Sequence, residues 1–231
     1  MNRIANTLLF LFLFSAARSQ GNNIADSTSA KVNVFVTDMK GKPSRGEQIL
    51  FKNERTKQLF SGRSDAMGKF SLQLPPGASY TITIKSLTDT SKYGKIDIPS
   101  LGPDEFFSEP FRVDVKFQMA KNYTLDNVHF DFGKASLRSE SFAELDELVD
   151  FLKNKEMVRV EIAGHTDNVG NEADNLRLSQ QRSETIRGYL VKKGIQATRI
   201  VAKGYGASEP IADNNTDQGR QLNRRTEVRI L

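Results

Sequence analysis

The sequence predicts a two-domain protein in which an all-β domain precedes an α/β domain. The first half contains short apolar segments with a period of two, separated by turn residues, as in all-β folds. The second half alternates such strands with two longer segments of helical period, which is typical of helices packed on a sheet. A chain of 231 residues is long enough for two domains of ordinary size.

The first 30 residues are predicted to lie outside both domains. A weakly positive start at Arg3 is followed by an unbroken apolar run over residues 8–14 and then by small residues, as in a cleaved secretory signal. The run is short for a membrane-spanning helix, so we predict a signal peptide over residues 1–19, with an uncleaved anchor as the alternative. Residues 20–30 are small and polar and are predicted to form a flexible leader.

The composition excludes several classes of site. Cysteine is absent and only two histidines, His129 and His165, occur, so disulfides, thiolate metal sites, a cysteine nucleophile and lipid attachment at a cysteine are excluded. The formal net charge of +5 is small and both signs are interspersed, which does not favour nucleic-acid binding. We therefore expect no cofactor, no metal and no nucleic-acid partner.

Residues 31–119 are predicted to form the all-β domain. Within them, residues 64–84 show a turn, a strand, a Pro-Pro-Gly turn and a second strand. This arrangement resembles the carboxypeptidase regulatory-like and Cna-B-like sandwiches, small Ig-like folds of about seven strands. The domain carries no metal cluster, nucleophile elbow or glycine-rich phosphate loop. We therefore expect it to be a spacer or a surface that contacts other envelope proteins.

Residues 123–231 are predicted to form the α/β domain, with the element order β-α-β-α-β-β. The alternation of Val128, Phe130 and Phe132 predicts its first strand, and residues 137–154 have the pattern of an amphipathic helix. The remaining predicted elements are a strand at 158–162, a helix that begins at the capping residues of the cluster 171–175 and ends at Gly194, strands at 200–202 and 226–230, and a long polar loop at 205–223.

The strongest indication of a binding site is a pair of opposite charges, Asp167 and Arg182. Asp167 follows the second predicted strand, directly after Thr166. Arg182 lies on or beside the apolar stripe of the next helix, and Asn175 lies two turns earlier on the same face.

Two interpretations of this pair remain open from spacing alone. The two side chains could form a structural ion pair, or Arg182 could pack its stem and leave its guanidinium in water. Alternatively, both could converge on one zwitterionic ligand, with Asp167 holding an ammonium group and Arg182 gripping a carboxylate through two parallel hydrogen bonds.

A larger set of residues at fixed spacing carries a family resemblance. The set comprises His165-Thr166-Asp167, Gly170, Asn175, Leu178-Ser179, Arg182, Gly204-Tyr205-Gly206, Ser208, Pro210, Asn214, Thr216, Gly219-Arg220 and Asn223-Arg224-Arg225. It resembles the signature of the OmpA-like C-terminal domain, the peptidoglycan-binding module of outer-membrane proteins and lipoproteins. The resemblance extends from about residue 123 to residue 231.

The resemblance implies non-catalytic binding of diaminopimelate in the peptidoglycan stem peptide. The aspartate and arginine of the family motif correspond to Asp167 and Arg182, and its asparagine corresponds to Asn175. The other expected site residues are Thr166, Phe132, Gly133 and Arg225, with Arg224 as the alternative source of a second positive group. His165 is expected to line the rim of the pocket.

The expected function is therefore binding of diaminopimelate-type peptidoglycan in the periplasm, which tethers the protein or its complex to the wall, with or without association with the outer membrane. The alternative is a wall-mooring subunit of an envelope secretion or motility machine whose β-sandwich binds the partner. A wall-cleaving enzyme would need a nucleophile or a metal with at least three ligands, and the sequence does not supply that set. We also expect no transmembrane segment in the mature chain.

Overall fold

The computed structural model describes residues 16–18, 29–87, 90–131 and 133–231. The chain divides into two compact units, residues 1–119 and 120–231. The predicted signal peptide lies outside the described residues, apart from β1 at Ala16–Arg18. Most of the predicted leader lies outside them as well, so both assignments stay predictions.

In its described residues, the first unit contains strands and no helix. After β1, its strands are β2 Ala30–Thr37, β3 Gln48–Asn53, β4 Leu59–Arg63, β5 Lys69–Leu74, β6 Ala78–Lys85, β7 Thr90–Ile98, β8 Glu105–Phe107 and β9 Phe111–Lys116. They form a three-stranded sheet in the order β5-β2-β9, a four-stranded sheet in the order β4-β3-β6-β7, and a pair of β1 with β8.

Apolar residues from the two larger sheets of this unit form one buried cluster. Val32, Val34 and Val36 of β2 are fully buried, as are Ile49 and Phe51 of β3. Each of these residues belongs to an alternating pattern, because successive side chains of a strand point to opposite faces. The strands predicted from that alternation are confirmed, whereas the likeness to Ig-like sandwiches stays a prediction.

The second unit is a mixed sheet with helices. Its elements are β10 Asn122–Thr124, α1 Ser141–Asn154, β11 Val160–His165, α2 Glu172–Lys192, a 3-10 turn at Ala197–Arg199, β12 Ile200–Gly206, α3 Asp217–Asn223 and β13 Thr226–Ile230. The sheet order is β10-β13-β11-β12. Strand β11 is parallel to β12 and antiparallel to β13, which is in turn antiparallel to β10.

The first strand of this unit differs from the prediction. It is β10, which pairs with β13, and not the segment 128–132. Phe130 instead makes an isolated bridge with Leu137. Phe130 therefore belongs to a local turn, and α1 begins at Ser141, four residues later than predicted. The hydroxyl of Ser141 accepts a hydrogen bond from the backbone N–H of His129 and donates one to its carbonyl, which fastens this turn to the helix.

The predicted loop at 205–223 contains additional regular structure. Strand β12 continues to Gly206, and the loop includes α3, whose N-cap Thr216 accepts a hydrogen bond from the N–H of Gly219. Asn223 is buried and its side-chain oxygen accepts hydrogen bonds from the backbone of residues 211 and 212. The polar composition of this segment therefore reflects capping and turn-forming hydrogen bonds.

Helix α2 has the ends that the sequence predicts. Its N-cap is Asn171, whose side chain accepts hydrogen bonds from two backbone N–H groups of the first turn. Gly194 follows the helix with φ of 96°, a conformation that glycine adopts without steric cost. Both predicted boundary signals are confirmed, and they set where the side chains of α2 stand against the sheet.

Candidate functional site

Asp167 lies just beyond the carboxyl end of β11. The backbone N–H of His165 donates to the carbonyl of Arg225 at 3.0 Å, and the N–H of Thr166 donates to the carbonyl of Gly206 at 2.9 Å. The hydroxyl of Thr166 donates to the carbonyl of Asp167 at 2.9 Å. Asp167 is only 8% exposed. Its position is therefore set by hydrogen bonds to segments on both sides of β11.

Asn175 closes the loop that follows Asp167. Its amide nitrogen donates to the carbonyl of Val169 at 3.0 Å and to the carbonyl of Asp167 at 3.3 Å. In the same loop, the backbone N–H of Val169 donates to Oδ1 of Asp167 at 3.0 Å. Asn175 thus orients the aspartate by holding its loop against the first turns of α2.

Arg182 is half-buried on α2, against the segment that precedes α1. Its Nε donates to the carbonyl of Lys134 at 3.0 Å, and its guanidinium carbon lies 5.0 Å from the centre of the Phe130 ring. Burial lowers the pKa of Arg182, the nearby charge of Arg224 lowers it further, and Asp167 opposes both effects. Arginine remains protonated in proteins, so this site keeps a partly desolvated positive charge.

The acidic partner of the site is bound to a different arginine from the one that the sequence suggested. Nη1 of Arg224 forms an ion pair with Oδ2 of Asp167, and its Nη2 donates to Oε1 of Gln221. The side chain of Arg224 is 41% exposed. The structural ion pair between Asp167 and Arg182 is therefore absent from the described part of the chain. Instead, the carboxylate of Asp167 is paired with the guanidinium of Arg224, and both charges act on the pKa of Arg182.

Arg225, which was expected in the site, points elsewhere. Its Nε donates to Oε1 of Glu227 at 2.6 Å, and its side chain is 6% exposed. Its Nη2 donates to the carbonyl of Glu209 at 3.2 Å. The positive group beside Asp167 in this structure is thus Arg224, the alternative of the sequence analysis, whereas Arg225 is paired with Glu227, and its contact with a ligand stays a prediction.

His165 does not line a rim. Its side chain is fully buried and stacks on Tyr205, with ring centres 5.2 Å apart and planes at 11°. Its Nε2 lies 3.3 Å from Nη2 of Arg229 and 3.8 Å from Oε2 of Glu227. Burial, reinforced by the charges of Arg225 and Arg229 and opposed by Glu227, lowers the pKa of His165 to about 4. The imidazole is therefore neutral at pH 7.

His165 belongs to a charged network on the sheet. The network comprises Glu161, His165, Tyr205, Glu209, Arg225, Glu227 and Arg229. Burial acts to raise the pKa of Glu227, but hydrogen bonds from Arg225 and Arg229 outweigh it and lower that pKa. Burial likewise opposes the effect of Glu209 and Glu227, which raise the pKa of Arg229. The carboxylates and guanidinium groups of this network are therefore paired with one another.

The remaining expected residues, Phe132 and Gly133, precede Lys134 in the sequence, and the carbonyl of Lys134 contacts Arg182. Gly133 is exposed with φ of 65°, a conformation that glycine adopts without steric cost, and its part in a ligand site stays a prediction. Phe132 lies outside the described residues. Sequence reasoning missed the carbonyl of Lys134, because a backbone acceptor leaves no trace in residue type.

Two further properties concern the described residues only. Within them, no group of three or more His, Cys, Asp or Glu side chains is arranged to hold a metal ion. Over the same ranges, no helix combines the length and the apolar composition needed to cross a membrane.

Comparison with known proteins places this site in a recognised sequence pattern. Residues 129–224 match the OmpA family model, so the second unit is OmpA-like over this range. Outer membrane porin F of Pseudomonas fluorescens is 43% identical over 104 residues, which cover 45% of this chain and 32% of that protein. Outer membrane protein A of Bordetella avium is 39% identical over 102 residues, covering 44% and 53% of the two chains. The chain therefore spans between a third and about half of the length of these relatives.

A solved structure resembles the second unit as well. It is the peptidoglycan-associated lipoprotein from Burkholderia pseudomallei, which is 27% identical to this chain. The similarity covers 48% of this chain and 91% of that one, with a TM-score of 0.43.

Proposed function

We propose that this protein binds peptidoglycan through its second unit and so tethers itself, or a complex to which it belongs, to the cell wall. The proposal is supported by the match of residues 129–224 to the OmpA family and by the residues at the motif positions. The observation that carries it is that Asp167 and Arg182 come from different elements and that Asp167 lies near enough to act on the pKa of Arg182, without a hydrogen bond or ion pair between the two in the described chain.

The ligand that suits this pair is the free end of a diaminopimelate side chain, which carries an ammonium group and a carboxylate on one carbon. Nε of Arg182 is occupied by a backbone carbonyl, and its two Nη nitrogens provide a planar fork for a carboxylate. Asp167 would accept the ammonium group. Asn175 supports this geometry by holding the loop of Asp167 against α2.

In the absence of a ligand, Asp167 forms an ion pair with Arg224. The ammonium group of the ligand has to displace the guanidinium of Arg224 from this pair. Because the side chain of Arg224 is 41% exposed, water can solvate its guanidinium when the ion pair with Asp167 opens. The ligand ammonium would then replace this guanidinium as the partner of the carboxylate, which keeps the charge of Asp167 compensated. The freed guanidinium remains beside the site, where it favours an anionic ligand group over a neutral one.

The proposed role is binding without catalysis, in the periplasm and at the wall. The imidazole of His165 is buried inside a charged network and stacks on Tyr205, so we assign it no part in ligand binding. The first unit, for which the sequence predicts an Ig-like sandwich, would act as a spacer or as the contact surface for other envelope proteins. The two relatives described above are outer membrane proteins by name, which agrees with an envelope location.

Co-sedimentation with purified sacculi that contain diaminopimelate tests the proposal. Wild type, Asp167→Ala and Arg182→Ala are compared with Arg177→Ala, which removes the same charge from an exposed position of the same helix. Far-UV circular dichroism first establishes that each variant folds. Wild type and Arg177→Ala are expected in the pellet, and the two site variants in the supernatant. Equal pelleting of all four proteins would exclude this site as the wall anchor.

A competition experiment tests the identity of the diamino acid. A soluble stem peptide with a free diaminopimelate carboxylate is expected to release the protein from sacculi. The same peptide with that carboxylate amidated should compete more weakly, because Arg182 loses a charge-assisted partner. Equal competition by the two peptides would contradict the assignment of Arg182 as the carboxylate clamp while leaving wall binding in place.

A further inference from the structure

Two aromatic side chains stack on the surface between α1 and α2, outside the charged site. The rings of Phe142 and Tyr189 have centres 5.4 Å apart and planes at 19°. Phe142 is 40% exposed, although it stands at the second position of α1, where a polar residue would suffice. An aromatic face left in water is a surface on which an apolar face of a ligand can be buried.

This aromatic pair lies in line with Arg182. Tyr189 follows Arg182 by seven residues, or nearly two turns of α2, so the two side chains share a face about 10 Å apart along the axis. The opposite side of the surface is built from consecutive parts of the chain: Lys134, before α1, contacts Arg182, and Phe142, in the first turn of α1, contacts Tyr189. The charged site and the aromatic pair therefore belong to one surface.

Fixed polar groups stand beside the aromatic rings. Oδ1 of Asp146 accepts a hydrogen bond from the Tyr189 hydroxyl at 2.8 Å and lies 2.7 Å from Nζ of Lys193. Nζ of Lys193 is 5.1 Å from the centre of the Tyr189 ring. Hydrogen bonds from Lys193 and Tyr189 lower the pKa of Asp146, so its carboxylate is ionised. A carboxylate has acceptor sites on both oxygens, which leaves capacity for hydroxyl donors.

We propose that Phe142, Tyr189 and Asp146 form a subsite for a sugar ring of the glycan strand whose stem peptide is held by Asp167 and Arg182. A sugar presents an apolar C–H face, which fits an aromatic ring, and hydroxyl groups at its edge, which fit a carboxylate. An extended peptide spans about 3.3–3.6 Å per residue, so about three residues of a stem peptide bridge 10 Å to the sugar. The inference rests on the proposed wall binding and extends it from the peptide to the glycan.

Titration calorimetry with two soluble ligands tests this subsite. The first is a stem tripeptide that ends in diaminopimelate, and the second is the same tripeptide attached to its disaccharide. Wild type is expected to bind the disaccharide form about tenfold more tightly, which is the range of one added aromatic contact. Phe142→Ala is expected to lose that advantage and to bind the tripeptide as wild type does. Val191→Ala, which trims an exposed apolar residue two positions from Tyr189 and thus on another face of α2, should behave as wild type with both ligands.

A second variant guards against a purely structural role of the pair. Phe142→Leu keeps an apolar side chain between α1 and α2 but removes the ring, and it is expected to lose the disaccharide advantage as fully as Phe142→Ala. Equal binding of the two ligands by wild type, or an equal loss for both ligands in the Phe142 variants, would overturn the subsite while wall binding stands. Failure of wild type to bind either ligand would overturn the proposed function and this inference with it.

Discussion

Replacing Gly164 with alanine tests whether the close packing of α2 on the sheet sets the geometry of the binding site. A Cβ at this position would lie 2.5 Å from the carbonyl oxygen of Ser179 and 2.7 Å from the hydroxyl of Ser183. Ordinary van der Waals contact begins near 3.4 Å. Helix α2 would therefore have to move away from β11 by about 0.9 Å.

This displacement has two consequences of predictable size. Overpacking of a close contact costs about 1–3 kcal/mol, which lowers the free energy of unfolding of the second unit. Because Asp167 follows β11 and Arg182 lies on α2, the same movement changes the spacing of the two ligand groups. Loss of one good charge-assisted hydrogen bond is worth about 1.5–3 kcal/mol, so wall binding should weaken at least about tenfold.

Gly188 provides the matched control on the same helix. Among the described residues, outside the neighbouring backbone of α2 itself, none has an atom within 4 Å of where its Cβ would stand. Gly188→Ala should therefore stabilise α2 by about 0.5–1 kcal/mol without changing binding. Urea unfolding followed by the helical circular dichroism signal reports the second unit, since the described helices all lie there. Wild-type stability of Gly164→Ala, or normal binding of sacculi by a destabilised Gly164→Ala, would refute the reasoning.

Three further predictions concern the stability of the second unit and use the same unfolding assay. Gly194→Ala places a Cβ at φ of 96° and should cost about 1 kcal/mol, with Gly194→Asn intermediate; equal stabilities would contradict this. Arg199→Met removes side-chain hydrogen bonds to the carbonyls at the end of α1 and should cost about 1–3 kcal/mol, whereas an exposed Arg177→Met should cost almost nothing. Because the pKa of His165 falls from 6.5 to about 4 on folding, the unfolded chain takes up the proton first, and stability should decrease by up to about 3 kcal/mol as the pH falls from 6.5 to 4. The His165→Asn variant should show a flatter pH profile, and an unchanged profile would rule out this histidine as the cause.

Local patterns predicted most of the fold because they reflect burial directly. Alternation identified the strands of the first unit, and the capping residues Asn171 and Gly194 identified the ends of α2. Strand β10 could not be found in this way, since it has three residues of which only Tyr123 is buried. This strand forms because its backbone pairs with the edge of β13, a contact between distant parts of the sequence that local patterns do not reveal. Helix α3 was hidden in a polar segment because its support comes from the buried side chain of Asn223.

The sequence identified Asp167 and Arg182 as candidate ligand groups, but it did not identify the ion pair between Asp167 and Arg224. Motif spacing located Asp167 and Arg182, whereas neighbouring arginines at 224 and 225 have the same residue type and nearly the same position. The directions of their two side chains follow from β13, which begins at Thr226, because successive side chains along a strand point to opposite faces of the sheet. Arg225 has the same parity as Glu227 and Arg229, whose side chains share one face of the sheet with it. Arg224 has the opposite parity, and this alternation is the sequence signal that could have assigned it to Asp167.

This parity also separates two sets of charged residues at the end of β11, the candidate ligand site at Asp167 and the network around His165. Within the network around His165, Arg225 and Glu227 form a largely buried ion pair, so removing either of them leaves a desolvated charge and costs far more than breaking an exposed pair. Glu227 and Arg229 stabilise the strand next to Arg224, and Arg224 in turn contacts Asp167. Neither Glu227 nor Arg229 is proposed to contact the ligand. Their loss would weaken wall binding by unfolding the site. A screen that scored binding alone would assign Glu227 to the ligand pocket, whereas a screen that measured unfolding as well would separate it from Arg182, whose loss should reduce binding more than stability.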